Sequence, residues 1–249
     1  MKKKVINWIV LLIAIVGFCI SGYKIYEILS EYWKGSSEYE RLRDITIQTE
    51  VKDGIPSNDL PFTVDFEVLL SMNPDTVGWI RFAEPKEISY PVVRGTDNEK
   101  YLNKTFEGKK NAAGALFEDY RNATDFSDRN TFIYGHNMKN GSMFGQLRKY
   151  RDSAYCEENP YFYIYTPDGK VSTYQIFAVG IVEDTTRSYT RFFSDDEEFL
   201  EYIDYIRGIS RYKSDVEIVA ESKVVSLSTC TNRSETERMV VHGVKIHEE

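Results

Sequence analysis

From residue 77 to residue 246 the chain repeats one pattern, a short run rich in β-branched and aromatic side chains followed by turn formers. The runs cover residues 77–82, 88–94, 113–117, 130–134, 161–165, 171–182, 224–229 and 238–246. Thr166-Pro167-Asp168-Gly169 joins two of them as a hairpin, because Asp-Gly supplies the positive-φ positions of a tight turn. Eight short strands with few helices between them make a sheet with edges to hide, and closing the sheet on itself removes those edges. The expected fold is mainly β, an eight-stranded closed or nearly closed barrel with peripheral helices.

One helical segment precedes the strands and two interrupt them. Phe66, Leu69 and Leu70 give helical spacing over residues 64–72, stopped by Asn73-Pro74-Asp75. Phe144, Leu147 and Tyr150 do the same over residues 141–150, behind Ser142 as N-cap. The third starts at Ser194, with Glu197 three residues on as in a capping box, and carries the stripe Phe199, Ile203 and Ile206.

Ahead of the strands, residues 5–22 are apolar and free of formal charge, enough for one helix to span a bilayer, and Lys2, Lys3 and Lys4 precede them. Positive charge on the short flank keeps that end in the cytoplasm. No small-residue cleavage site follows the run, so it reads as an uncleaved anchor rather than a signal peptide. The expected layout is a cytoplasmic tail over residues 1–4, a transmembrane anchor over 5–22, a helical stalk or a helix packed on the domain, with a linker, over 23–61, and a folded domain over 62–249 on the extracellular face. Residues 49–61 hold the turn formers of the linker. A net charge of −8 gives no basis for nucleic-acid binding. Three cysteines, at 19, 156 and 230, make no disulfide framework and no metal cage.

Cys230 ends the strand 224–229 at a rim, where a rigid element aims a thiol and an open mouth receives substrate. Arg238 opens the return strand. If the two strands are neighbours, it lies level with Cys230, a fixed cation beside a thiol that must ionise and a donor for a developing oxyanion. A thiol nucleophile also needs a base or ion-pair partner, and the chain has three histidines, at 136, 242 and 247. His247 lies at the frayed end. His242 shares a strand face with Val240 and Val244 as an ordinary strand residue. His136 stands just past the strand 130–134, after a bend at Gly135, and is the histidine placed for chemistry. Ser228 shares the face of Cys230 by alternation.

Taken together, the anchor, the β-rich domain, FIYGHN at residues 132–137 and SLSTC at 226–230 followed by Arg238-Met239-Val240-Val241 resemble the sortase family. The helix before the cysteine strand and the N-terminal helical region resemble class B. Ser226 stands where threonine or valine is frequent in the family, and Asn232 where some relatives carry an acid. The resemblance implies a sortase-type barrel and a cysteine transpeptidase that cuts a C-terminal sorting signal of secreted proteins, NPQTN-like or Pro-x-Thr-Gly-like, after threonine. The protein is then transferred to a cell-wall amine, a peptidoglycan precursor. It implies Cys230 as nucleophile, His136 as acid and base, and Arg238 as oxyanion donor or substrate clamp. It also implies a substrate groove lined by the strand of Ser226 and Ser228, the connection 183–193 and residues near Tyr101 and Leu102. Chemistry of this kind requires no cofactor and no metal.

Other classes leave different marks. An L,D-type cell-wall transpeptidase carries histidine two residues before its cysteine, where this chain has Ser228. An extracellular cysteine protease shares the thiol chemistry and differs in resolving its intermediate with water. A non-catalytic anchored binding module would not need Cys230 at all.

Overall fold

The computed structural model describes residues 2–49, 62–231 and 234–249. Residues 50–61 of the expected linker, and Asn232, lie outside the described residues. One continuous helix, α1 (Lys2–Thr46), begins the chain, and a short strand pair follows, β1 (Ile47–Thr49) with β2 (Phe62–Val64). From residue 6 to residue 29 α1 is exposed, and by length and composition it is able to cross a membrane. Its last turns bury Tyr39 and Leu42 against the barrel, so that end of the helix is packed on the domain. Because β2 occupies residues 62–64, the next helix, α2 (Phe66–Met72), starts later than its apolar spacing suggests, capped by Asp65, whose carboxylate accepts from the Val68 N–H at 3.0 Å.

Eight strands then form the closed barrel. They are β3 (Thr76–Phe82), β4 (Ser89–Val93), β5 (Leu116–Glu118), β6 (Asn130–Tyr134), β7 (Tyr161–Tyr165), β8 (Val171–Glu183), β9 (Val224–Cys230) and β10 (Glu237–Glu248). Around the barrel they run β10-β8-β7-β3-β4-β5-β6-β9. Each follows its expected run closely except β5, where residues 113–115 are taken by a turn held by the Asn111 carboxamide on the Ala113 N–H at 2.8 Å. His247 is not frayed, since β10 continues through it opposite Thr173.

Two neighbour pairs are parallel, β4 with β5 and β6 with β9. A parallel pair needs a long crossover, and the one between β6 and β9 contains β7, β8 and two helices, α3 (Ser153–Glu158) and α4 (Asp196–Ile209). The second parallel pair positions the site, because it brings the C-terminal ends of β6 and β9 to the same rim.

Residues 141–150 are not an α-helix. Phe144, Leu147 and Tyr150 are buried as expected, but they recur every three residues and line a 3₁₀ helix, Gly145–Arg151. Ser142 does not cap it. Both its N–H and its hydroxyl donate to the Asn140 carboxamide, and left-handed backbone at Gly141 (φ 83°) and Met143 (φ 54°) stops an α-helix from starting there. In α4 the capping box sits one residue later than expected. Asp195 accepts from the Glu198 N–H at 2.9 Å, and the Glu198 carboxylate reaches back to the Ser194 N–H at 2.7 Å. Phe199, Tyr202, Ile203 and Ile206 of α4 pack on Phe177, Ala178, Val224 and Val244, which face outward from the barrel.

Candidate active site

Register alone places the reactive side chains. Tyr134 pairs with Ser228 in the parallel β6–β9 ladder, and the Gly135 N–H extends it to the Ser228 carbonyl at 3.1 Å. His136, two residues past Tyr134, thus reaches the level and the face of Cys230, two residues past Ser228. On the other side, Arg238 of β10 is the direct antiparallel partner of Cys230. His136, Cys230 and Arg238 line one cleft of about 600 Å³, together with Ser228 and Leu102.

Cys230 is a free, half-buried thiol, and its carbonyl accepts from the Asn137 carboxamide at 2.8 Å, which ties the loop after His136 to the cysteine. The His136 Nε2 lies 2.7 Å from the Leu102 carbonyl oxygen, so with the proton on Nε2 the ring is oriented by that carbonyl. Gly135 is required here for space rather than for a special bend. A Cβ at this position would lie 2.3 Å from a Leu116 methyl and 2.7 Å from the Phe144 ring.

The Arg238 guanidinium is held from two sides. Its Nη2 lies 3.0 Å from the Asp184 carboxylate, and Nη1 donates to the backbone carbonyls of Glu235 at 2.5 Å and Glu237 at 3.2 Å. Asp184 is not evident from the sequence. The β8–β10 ladder, extended by the Asp184 N–H to the Thr236 carbonyl, brings it there.

Ser228 is nearly covered, its hydroxyl paired with the Tyr189 hydroxyl at 2.7 Å. Burial drives the Tyr189 phenol up to about 12, against the pull of Ser228 and Arg238, so it stays a neutral hydrogen-bonding group. Its ring stacks on Phe132 with centroids 5.2 Å apart.

Ser226 does not line the groove. Alternation gives it the right face, but α4 covers that part of the strand, and the Ser226 hydroxyl is buried between the Asn130 carboxamide at 2.7 Å and His242 Nδ1 at 2.8 Å. Burial pushes His242 down to about 3, which keeps it neutral and structural.

The cleft's other end is built on Asp119. This carboxylate is fully buried and takes Arg121 in a two-pronged pair at 2.8 Å, the Tyr134 hydroxyl at 2.9 Å and the Asn98 amide at 3.0 Å, with Arg191 at 3.6 Å. Burial alone would raise its pKa, but the Arg121 pair and the remaining donors hold it at about 2. In the sequence the only trace of this cluster is a charged stretch after a strand.

A thiol that ends a barrel strand, with an imidazole and a guanidinium in the same cleft, has the parts that thiol-dependent acyl transfer requires. The chain belongs to the sortase family: residues 84–246 match the sortase domain. Sortase B of Listeria monocytogenes is 34% identical over 236 residues, covering 91% of each chain. Sortase B of Staphylococcus aureus is 30% identical over 249 residues, covering 99% of this chain and 98% of that one. Among solved structures, sortase B from B. anthracis in complex with AAEK1 superposes with a TM-score of 0.75 at 29% identity, covering 88% of this chain and 99% of that one. The protein is therefore a class B sortase, a cysteine transpeptidase of cell-wall anchoring.

Proposed function

We propose that Cys230 is the nucleophile of this transpeptidase, that its substrate is a C-terminal sorting signal of NPQTN-like or Pro-x-Thr-Gly-like sequence, and that it acts from the membrane. The Cys230 thiolate attacks the carbonyl carbon of the signal's threonine and forms a tetrahedral oxyanion. His136 as imidazolium gives a proton to the leaving amine, and the C–N bond breaks to leave a thioester on Sγ. An incoming amine of a peptidoglycan precursor, losing its proton to His136, forms the new amide and frees the thiol. Arg238 donates to the oxyanion or to the substrate backbone, and being permanently charged it is not the base. Ser228 and Leu102 contact the bound peptide. The helix α1 anchors the chain through residues 5–22, with residues 1–4 as a cytoplasmic tail and the catalytic domain on the extracellular face.

The observation that carries this reading is the pair of registers, Tyr134 with Ser228 and Arg238 with Cys230, which puts three side chains from three adjacent strands on one rim. The test uses the full chain in detergent, wild type beside Cys230→Ala, with quenched peptides bearing either signal type or a scrambled one, with and without an amine. Cleavage after threonine that depends on Cys230, with the acyl group on the amine, is the expected result. Products carrying only water would assign a protease instead, and cleavage undiminished in Cys230→Ala would remove the thiol from the mechanism.

A further inference from the structure

A second cavity, of about 450 Å³, lies between α1 and the loop at residues 104–110. Lys34, Glu38 and Arg41 form one face of the helix, and Thr105, Lys109 and Lys110 face them from the loop. The loop is fixed to the helix at several points. Arg41 and Lys109 both pair with Glu107, Lys109 lies 3.5 Å from the buried Glu38, and the Glu107 N–H donates to Glu38 at 3.1 Å. Below them the Asn111 carboxamide donates to the Glu31 carbonyl at 2.9 Å.

Four cations thus meet two carboxylates, Glu38 and Glu107. Among the described residues neither Lys34 nor Lys110 pairs with any acid, and both side chains are exposed. Thr105 lines the same cavity at 1% exposure with a hydroxyl that has no hydrogen-bond partner. A small anion with several acceptor oxygens answers both features, the uncompensated positive charge and the idle donor.

The position of the cavity on α1 says where such an anion comes from. The helix is unbroken from the apolar run to the cavity, and from Gly22 to Lys34 it climbs roughly 18 Å at 1.5 Å per residue. Over that rise it still exposes Tyr23, Tyr26, Leu29 and, at 72% exposure, Trp33, the residue next to Lys34. Tyrosine and tryptophan exposed at the end of an apolar helix mark the layer of lipid head groups.

We propose that this cavity binds the phosphate of an anionic membrane lipid, with Lys34 and Lys110 as charge partners and Thr105 as a hydroxyl donor. The inference rests on the membrane-spanning reading of α1. Occupancy would fix the barrel against the bilayer. It would also fix the cleft's height, since the same loop region carries Leu102 and is bound to α1 by the Tyr39 hydroxyl on the Gly114 carbonyl at 2.6 Å.

The test is a lysine acylation footprint, read by mass, of the full chain in nanodiscs of phosphatidylcholine alone or mixed with phosphatidylglycerol. Lys34 and Lys110 are expected to react about five-fold more slowly in the anionic discs, the scale of about 1 kcal/mol for a basic residue at an anionic surface. Lys213, exposed beyond α4, should not change. In Thr105→Val and Lys110→Ala the protection of Lys34 should fall.

Equal footprints in the two discs would overturn the proposal, as would equal protection of Lys213, which would mean diffuse surface attraction. Protection reproduced by inorganic phosphate in neutral discs would assign a free-anion site instead of a lipid. A chain that fails to co-elute with either disc would sink the membrane-spanning reading, and this proposal with it.

Discussion

Glu118 and Asp119 are adjacent, both are fully buried, and their surroundings drive them apart. Asp119 turns to the cleft and its arginines, whereas Glu118, opposite Ile133 in the β5–β6 ladder, has neither oxygen hydrogen-bonded. Burial raises Glu118 to about 8; Arg94 opposes this, and Asp128, Asp119 and Asp125 add to it. An unfolded glutamate titrates at about 4.3. The folded value is the higher one, so the folded state binds the proton more tightly. Its contribution to stability is complete below about pH 4.3 and is lost as pH rises through about 8. At pH 7 the loss amounts to about 3.5 kcal/mol, at 1.36 kcal/mol per pH unit between the two values. Glu118→Gln keeps the shape and cannot ionise. It should therefore match the wild type near pH 4 and melt roughly 7–14 °C higher at pH 7, at 2–4 °C per kcal/mol for a domain of this size. The assay is thermal unfolding of both proteins across pH 4 to 8.5 in one detergent. A Tm difference that stays constant over that range would show that Glu118 does not titrate there and would refute the reasoning.

Three other outcomes are expected. Arg238→Lys should fold normally yet lose about 10²–10³ in kcat/KM on a cleaved peptide, since a lysine has no planar fork to offer an oxyanion; near wild-type turnover would mean that charge alone suffices. Asp184→Asn retains an acceptor for Arg238 but removes the negative charge that pairs with the guanidinium, and a drop in kcat of about five-fold is expected, with Asp184→Glu partly restoring it; identical kinetics in all three proteins would free Arg238 from Asp184. Asn130→Ala removes three side-chain hydrogen bonds, to Thr190, Tyr202 and Ser226, and should destabilise the fold by about 3 kcal/mol. An unfolding midpoint unchanged in denaturant would show that the network contributes nothing.

The strands were legible because β-branched runs closed by turn formers leave little else for them to become, and the placement of Cys230, His136 and Arg238 at the barrel rim was legible because each stands at the end of such a run. Strand order was not. That β6 lies parallel to β9 depends on a crossover whose packing no local window contains, and Asp184 and Tyr189 enter the site only through that packing. Ser226 shows the limit of alternation, which assigns a face of the strand but not what covers it. The 3₁₀ segment shows the limit of spacing, since apolar residues at every third position fit two kinds of helix. There the backbone at Gly141 and Met143 decides. The Asp119 cluster joins residues brought together from the loops around 98, 121 and 191, so only its own charge shows in the sequence.

The same packing explains why a helix that does not line the cleft matters to it. The wall from Asp184 to Arg191 has little secondary structure of its own beyond a turn of 3₁₀ helix, Arg187–Tyr189. It is held at one end by Asp184, through Thr236 and Arg238, and at the other by two contacts from beneath. The Tyr202 hydroxyl of α4 donates to the Ser188 carbonyl at 3.1 Å, and the Asn130 carboxamide donates to the Thr190 carbonyl at 2.8 Å. Between those points Tyr189 is pressed on Phe132 and bonded to Ser228, two residues before the thiol. A wall fastened in this way keeps its side chains in place before a substrate arrives, so less ordering is left for binding to accomplish. In that sense α4 and the buried Asn130–Ser226–His242 network shape the cleft through the wall, while β6, β9 and β10 set the thiol and its neighbours directly.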